Sequence, residues 1–170
     1  MARAKTQPFI ITEVVNAANT TAVQSGVLDL SAYVDPGDSQ GVEIMAVDYI
    51  WFTSDDNMPA AHTSAFRAVA QLKDNTNGNL VAYDNIHLVS SGSIYFDADN
   101  VVSNASDVYP DILYISKDGG RVSVNDSMEI CVKSTVNVPD LACAVRIQMR
   151  VISLTKKDYM TLALQTVSDN

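Results

Sequence analysis

Apolar residues in this chain come in short runs that alternate with polar ones, and most runs stop at a turn signal. Alternation with period two puts successive side chains on opposite faces of a strand, so the pattern predicts strands rather than helices. Pro8 to Val15 is the first run, an arm or a first strand, followed by the polar stretch Asn16 to Thr21. Gly26 to Val34 comes next and stops at Asp35-Pro36-Gly37-Asp38. There proline presets φ and short carboxylates bond nearby backbone N–H groups, which makes a strong turn. Glu43 to Phe52 is a long strand: Met45, Val47, Tyr49 and Trp51 share one face, and Ile44, Ala46, Ile50 and Phe52 the other, interrupted by Asp48. A strand apolar on both faces asks for cover on both, from a second layer or a neighbouring subunit.

Ala65 to Lys73 fits two periods. A helix would group Phe66, Val69 and Ala70; a strand would group Phe66, Ala68, Ala70 and Leu72, with Arg67, Gln71 and Lys73 outward. The turn signal Asn75-Thr76-Asn77-Gly78, with Leu80 to Tyr83 behind it, decides for a strand in a hairpin. Ile86 to Val89 and Ser93 to Phe96 flank Ser90-Ser91-Gly92, where the glycine predicts a bulge or corner. After a polar loop over 97–110, Ile112 to Ser116 and Arg121 to Val124 form a hairpin around Lys117-Asp118-Gly119-Gly120. Met128 to Lys133 and Cys143 to Leu154 form the last strand pair, around Val138-Pro139-Asp140. In the final strand Cys143, Val145, Ile147, Met149 and Val151 face one way, and Ala144, Arg146, Gln148 and Arg150 the other.

After Thr155 the period changes. Thr155 to Asp158 resembles a capping box with Asp in place of Glu, and Tyr159, Leu162, Ala163 and Val167 fall near helical spacing. A short amphipathic helix from about Lys156 to Thr166 is expected. The whole reads as an all-β fold: a two-sheet antiparallel sandwich, for which a jelly roll is one common wiring, with a short C-terminal helix. The expected division is 1–22 as N-terminal arm or first strand, 23–155 as sandwich, and 156–170 as helix and tail.

Composition agrees. Seventeen of the 20 acids are Asp, a turn former, and only Glu13, Glu43 and Glu129 are Glu, a helix former. The formal net charge of −9 repels phosphate backbones, so no strong direct nucleic-acid binding is expected; Arg3 and Lys5 make at most a small basic arm. No run approaches the roughly 20 apolar residues that cross a bilayer, and no leader is read at the start of the chain. Cys131 and Cys143 could oppose each other across a hairpin turning near Asn137, but the register that does so sets Glu129 against Val145. Two free thiols are therefore favoured over a disulfide.

Candidate chemistry is thin. Only His62 and His87 could serve as a base, and no G-x-S-x-G elbow accompanies them, so no catalytic residue and no enzyme activity is expected. No zinc spacing occurs. No cofactor is expected; a structural divalent cation stays open at the paired acids Asp97 and Asp99 or Asp55 and Asp56, although the EF-hand positions at Val101 and Val102 fail. Arg146 and Arg150 on one strand face lack the aromatic neighbours of a nucleic-acid module, so pairing with Asp across a strand or subunit is expected.

The order of segments resembles a known family. Leu28-Asp29-Leu30-Ser31-Ala32-Tyr33-Val34-Asp35 leads into Val42 to Phe52; later come Val89-Ser90-Ser91-Gly92 and Val108-Tyr109-Pro110-Asp111, then an alternating strand and a small helix. Over roughly Val27 to Leu164 this is similar to the small single jelly-roll coat proteins of icosahedral viruses, especially those of aquatic microbes. The resemblance implies a capsid subunit that self-assembles into an icosahedral shell and resides in the virion; with no leader read, folding in the host cytoplasm is expected. Its partners would be copies of itself and other virion proteins, with an inner membrane or inner protein beneath the shell in place of direct genome contact. Candidate interface residues are Phe9, Ile10, Tyr49, Trp51, Arg146, Arg150, Tyr159 and Leu162. The alternative function is a carbohydrate-binding β-sandwich, calcium-assisted, which would show an exposed aromatic pair beside Asp loops.

Overall fold

The computed structural model describes residues 2–17, 19–58, 65–97, 102–105 and 120–167. Within them run ten strands and a helix: β1 (Arg3–Ala4), β2 (Phe9–Asn16), β3 (Gln24–Asp29), β4 (Gln40–Thr53), β5 (Phe66–Lys73), β6 (Leu88–Phe96), β7 (Val102–Ala105), β8 (Arg121–Ser123), β9 (Ser127–Ser134), β10 (Leu141–Ser153) and α1 (Lys156–Val167). They form two antiparallel sheets. In sheet A, β10 pairs with β4, β2 and β1, and β4 pairs with β8; sheet B runs β3-β9-β5-β6-β7.

The pairing is nested. β2 pairs with β10, β3 with β9, β4 with β8 and β5 with β6, as in one long ribbon folded back on itself. Rolling that ribbon adds the contacts β10–β4 and β9–β5, which close it into two facing sheets. This is the jelly-roll wiring, and the sandwich expected from the alternation is the fold of the chain. The core lies between the sheets. Val145, Ile147 and Met149 of β10 and Val47, Tyr49 and Trp51 of β4 face Ile130 and Val132 of β9 and Ala68, Ala70 and Leu72 of β5.

Several local expectations are corrected. Met45 does not share a face with Val47. The register steps from Gln148↔Ala46 to Met149↔Ile44, so Met45 has no residue opposite it and forms a bulge. The bulge inverts the alternation: Val42 and Ile44 point inward before it, Val47, Tyr49 and Trp51 after it, and Met45 is exposed. β9 and β10 do not pair with each other; they lie in different sheets, and so do Cys131 and Cys143, both buried free thiols as expected. Burial pushes both thiols above the ordinary cysteine value, which keeps them protonated and unreactive.

Gly92 marks neither a bulge nor a corner. It sits in regular register opposite Ala70, and the irregularity of this pair falls instead where Leu72↔Ser90 gives way to Lys73↔Leu88. Ile86 to Val89 and Ser93 to Phe96 are accordingly not two strands: β6 is continuous from Leu88 to Phe96. Leu80 to Tyr83 is not a strand either. Of the hairpin expected around Lys117 to Gly120, only Gly120 and the second arm, found as β8 paired with β4, lie within the described residues.

The helix begins where its cap requires. The Asp158 N–H donates to Thr155 Oγ1 at 3.1 Å and the Tyr159 N–H to the Thr155 carbonyl at 2.9 Å. Thr155→Ala removes this acceptor and is expected to cost about 1 kcal/mol locally. It should be read as faster amide exchange confined to α1; unchanged exchange would mean that packing alone holds the helix.

Candidate functional site

The outer face of sheet B is closed at one end by the chain itself. Lys73 and Glu129 oppose each other on β5 and β9, and both are buried, not outward-facing in solvent as alternation predicts for Lys73. The Lys73 ammonium donates to Glu129 Oε2 (2.9 Å), Asn77 Oδ1 (2.6 Å) and the Asn79 carbonyl (2.5 Å). The same carboxylate accepts from the backbone N–H groups of Asn77 (3.0 Å) and Gly78 (2.9 Å). Gly78 has φ of +72°, a left-handed turn that glycine adopts without strain. Two residues along β5, Gln71 clasps Val81 by accepting from its N–H (2.8 Å) and donating to its carbonyl (2.9 Å). The Asn75 to Tyr83 segment, expected as a hairpin, is thus a loop laid over the sheet and fixed by three side chains from below.

Beneath α1 lies a second network. Asp74 Oδ1 meets His87 Nδ1 at 2.8 Å, and Asp74 Oδ2 accepts from Arg121 at 2.8 Å. Arg121 also donates to the carbonyls of Leu88 (2.8 Å) and Ile86 (2.5 Å), and Asn125 donates its amide to the Asp74 carbonyl. A carboxylate paired with a guanidinium is an acceptor, so the imidazole donates through Nδ1. His87 lines a cavity of about 20 Å³, room for one water, together with Arg121, Leu162 and Gln165. This histidine sits in the turn before β6 rather than in a strand, and it is buried. Its imidazole is held by Asp74 and is out of contact with bulk solvent.

The end of sheet B that the described residues leave uncovered carries different chemistry. Arg67, Val69, Tyr83, Ser93, Lys133 and Thr135 line a groove of about 280 Å³. The Arg67 guanidinium lies 5.4 Å from the centroid of the Tyr95 ring, in cation–π range. Among the described residues neither Arg67 nor Lys133 makes an ion pair. Sequence reading placed Arg67 outward but missed the groove, because Lys133 and Tyr83 reach it from segments distant in sequence.

Sheet A presents an outer face with apolar residues on either side of a charged row. Rows across β2, β10 and β4 read Ile10–Gln148–Ala46, Thr12–Arg146–Asp48 and Val14–Ala144–Ile50. Ile10 (55%), Val14 (50%) and Ile50 (44%) are exposed there. No described part of the chain covers them.

The sequence-derived interface candidates divide. Ile10 and Arg146 are on this exposed face, Arg146 in register with Asp48. Arg150 is half-buried and bonds Glu43 across the strand at 2.5 Å, the pairing expected for it although with Glu rather than Asp. Phe9 is half-buried against Tyr33, ring centroids 5.1 Å apart. Tyr159 and Leu162 are half-buried on the inner side of α1, which leaves Met160 and Leu164 exposed. Tyr49 and Trp51 are a correction: at 3% and 4% exposure they are core residues. The strand is apolar on both faces and asks for cover on both, and for the Tyr49 and Trp51 face the second sheet supplies it. Asp55 and Asp56 are exposed at a loop tip and Asp97 is half-buried, while Asp99 and His62 lie outside the described residues. Among the described residues no group of three or more His, Cys, Asp or Glu side chains is placed to hold a metal.

No family model and no curated protein matches the chain. One solved structure it resembles is apo VP1 of chimpanzee polyomavirus. The likeness has a TM-score of 0.48 at 6% identity and covers 90% of this chain and 99% of that one. Identity that low leaves no residue role to carry across. Among the described residues no helix is long and apolar enough to cross a membrane, which says nothing of β-barrels.

Proposed function

We propose that the chain is a structural coat subunit that self-assembles into an icosahedral shell, with the virion as its location and further copies of itself as its first partners. The observation that carries this reading is the outer face of sheet A, where Ile10, Val14 and Ile50 stand exposed in registered rows. Sheet B spends a whole loop and a buried ion pair on covering one end of its outer face; sheet A receives no such cover from the described chain. The row Val14–Ala144–Ile50, and Ile10 with Ala46 across the charged row Thr12–Arg146–Asp48, leave apolar area in water of the kind that another molecule covers. Nothing in the reading needs a catalytic group, a cofactor or nucleic-acid contact.

The expected result is concentration-dependent association at micromolar protein, seen by light scattering and as regular particles in negative stain. Val14→Lys combined with Ile50→Lys should suppress it while leaving the unfolding temperature nearly unchanged, because both residues are exposed. A strictly monomeric wild type across salt and calcium concentrations would defeat the proposal. A second reading, a carbohydrate-binding sandwich, draws on Tyr83 and Tyr95, both exposed, with Tyr83 lining the sheet B groove and Tyr95 under Arg67. A glycan array separates the two.

A further inference from the structure

We propose that the sheet B groove is the docking site for the Asp55–Met58 loop of a second copy of this chain. The inference rests on the assembly reading and deepens it by naming a second contact between copies, apart from the outer face of sheet A.

Charge makes the first argument. At a net −9, two copies repel over most of their surfaces. The groove departs from that field: Arg67 on β5 and Lys133 on β9 lie on adjacent strands, Lys133 directly opposite Val69, with no carboxylate paired to either among the described residues. An acidic protrusion is therefore drawn to this place on a neighbouring copy and repelled elsewhere. Arg67, held over the Tyr95 ring, also has less freedom to lose on pairing than a free surface arginine.

The loop supplies the complement. The Asn57 N–H donates to the Thr53 carbonyl (2.8 Å) and the Thr53 N–H to the Met58 carbonyl (2.9 Å), which closes a tight turn with Asn57 at φ of +58°. Asp56 Oδ1 accepts from the Met58 N–H at 2.9 Å, leaving its other oxygen for a cation. Asp55, Asp56 and Met58 all project into solvent, Met58 with 58% of its surface exposed. Two carboxylates face two cations, and a thioether faces tyrosine rings, a contact that sulfur and aromatic rings favour. The same acids that sequence reading marked for a cation are here placed against protein cations. Because groove and loop are different surfaces, each copy gives one and receives the other. A reciprocal pair of such contacts closes as a two-fold dimer, and a one-way contact propagates into rings, shells or filaments.

A charge swap tests this. R67E/K133E reverses the groove and D55K/D56K reverses the loop; all four residues are exposed, and circular dichroism checks that each variant folds. In sedimentation velocity at low salt each variant alone should associate at least about tenfold more weakly than wild type. An equimolar mixture of the two should recover association, because each groove then meets a loop of opposite sign. If wild type assembles and the variants assemble equally well, the groove–loop contact is wrong and the assembly reading stands. If both variants fold and weaken but their mixture does not recover, the contact is equally wrong. A monomeric wild type removes both. Glycan binding lost in R67E/K133E with assembly unchanged would give the groove to a sugar instead.

Discussion

Replacing Glu129 by alanine is expected to destabilise the fold by about 3–5 kcal/mol, the cost of leaving one member of a buried ion pair without its partner. Lys73 has no exposed surface, so its ammonium cannot turn to water when the carboxylate goes. Two further donors, the N–H groups of Asn77 and Gly78, lose their acceptor at the same time. Against the 5–15 kcal/mol of a typical domain this is a large fraction. Urea unfolding measures it. The double substitution Lys73→Met with Glu129→Leu should recover part of the loss, since it removes both desolvated charges but still leaves the Asn77 and Gly78 N–H groups without their acceptor. A single Glu129→Ala within 1 kcal/mol of wild type would mean that the loop over β5 and β9 opens easily enough to hydrate Lys73.

The same pair sets a pH dependence. Burial pushes the Glu129 carboxyl up, but Lys73 and the Gly78 N–H outweigh it and hold the group below the ordinary glutamate value. A carboxyl lowered in the folded state contributes stability above its unfolded pKa, and that contribution disappears as pH falls through the folded one. Acid should therefore loosen the Asn75–Tyr83 loop over sheet B, and Glu129→Gln should flatten that part of the stability curve.

Sequence reading did best where one strand's own alternation decides burial. The inward set Cys143, Val145, Ile147, Met149 and Val151 was legible because β10 is central in its sheet, with one face on the core along its whole length. The α1 start was legible because its signal, Thr155 with Asp158, is local. What failed depends on partners far along the chain. Met45 breaks its strand's alternation only because β10 is one residue shorter across that stretch. β9 and β10 are consecutive and separated by a turn, which looks like a hairpin, yet the nested ribbon sends them to opposite sheets. Alternation assigns Lys73 to solvent because its face of the sheet is the outer one, and nothing in β5 itself announces that a loop will lie on top. The candidate site suffers most from this non-locality: Arg67, Tyr83, Tyr95 and Lys133 come together from four separate segments.

Gly92→Ala is the sharpest test of the sandwich interior, with an expected cost of about 3 kcal/mol, the upper part of the usual overpacking range. A Cβ at this position would lie 2.4 Å from Cγ and Cδ2 of Tyr49 and 2.7 Å from its Cβ, well inside van der Waals contact. Those are the atoms nearest the Tyr49 backbone, so rotating the far end of the ring brings no relief. Gly92 is itself fixed in register with Ala70 of β5, so the two sheets would have to separate locally. A double-mutant cycle isolates this cause. Tyr49→Ala alone should cost about 3–5 kcal/mol through the cavity it leaves. In that background the added methyl of Gly92→Ala has room, and its cost should fall below about 1 kcal/mol, most of it gone with the ring. If the cost is the same in both backgrounds, glycine is required at this place for its backbone, as a bulge or corner would require it, and the close approach of Tyr49 is incidental.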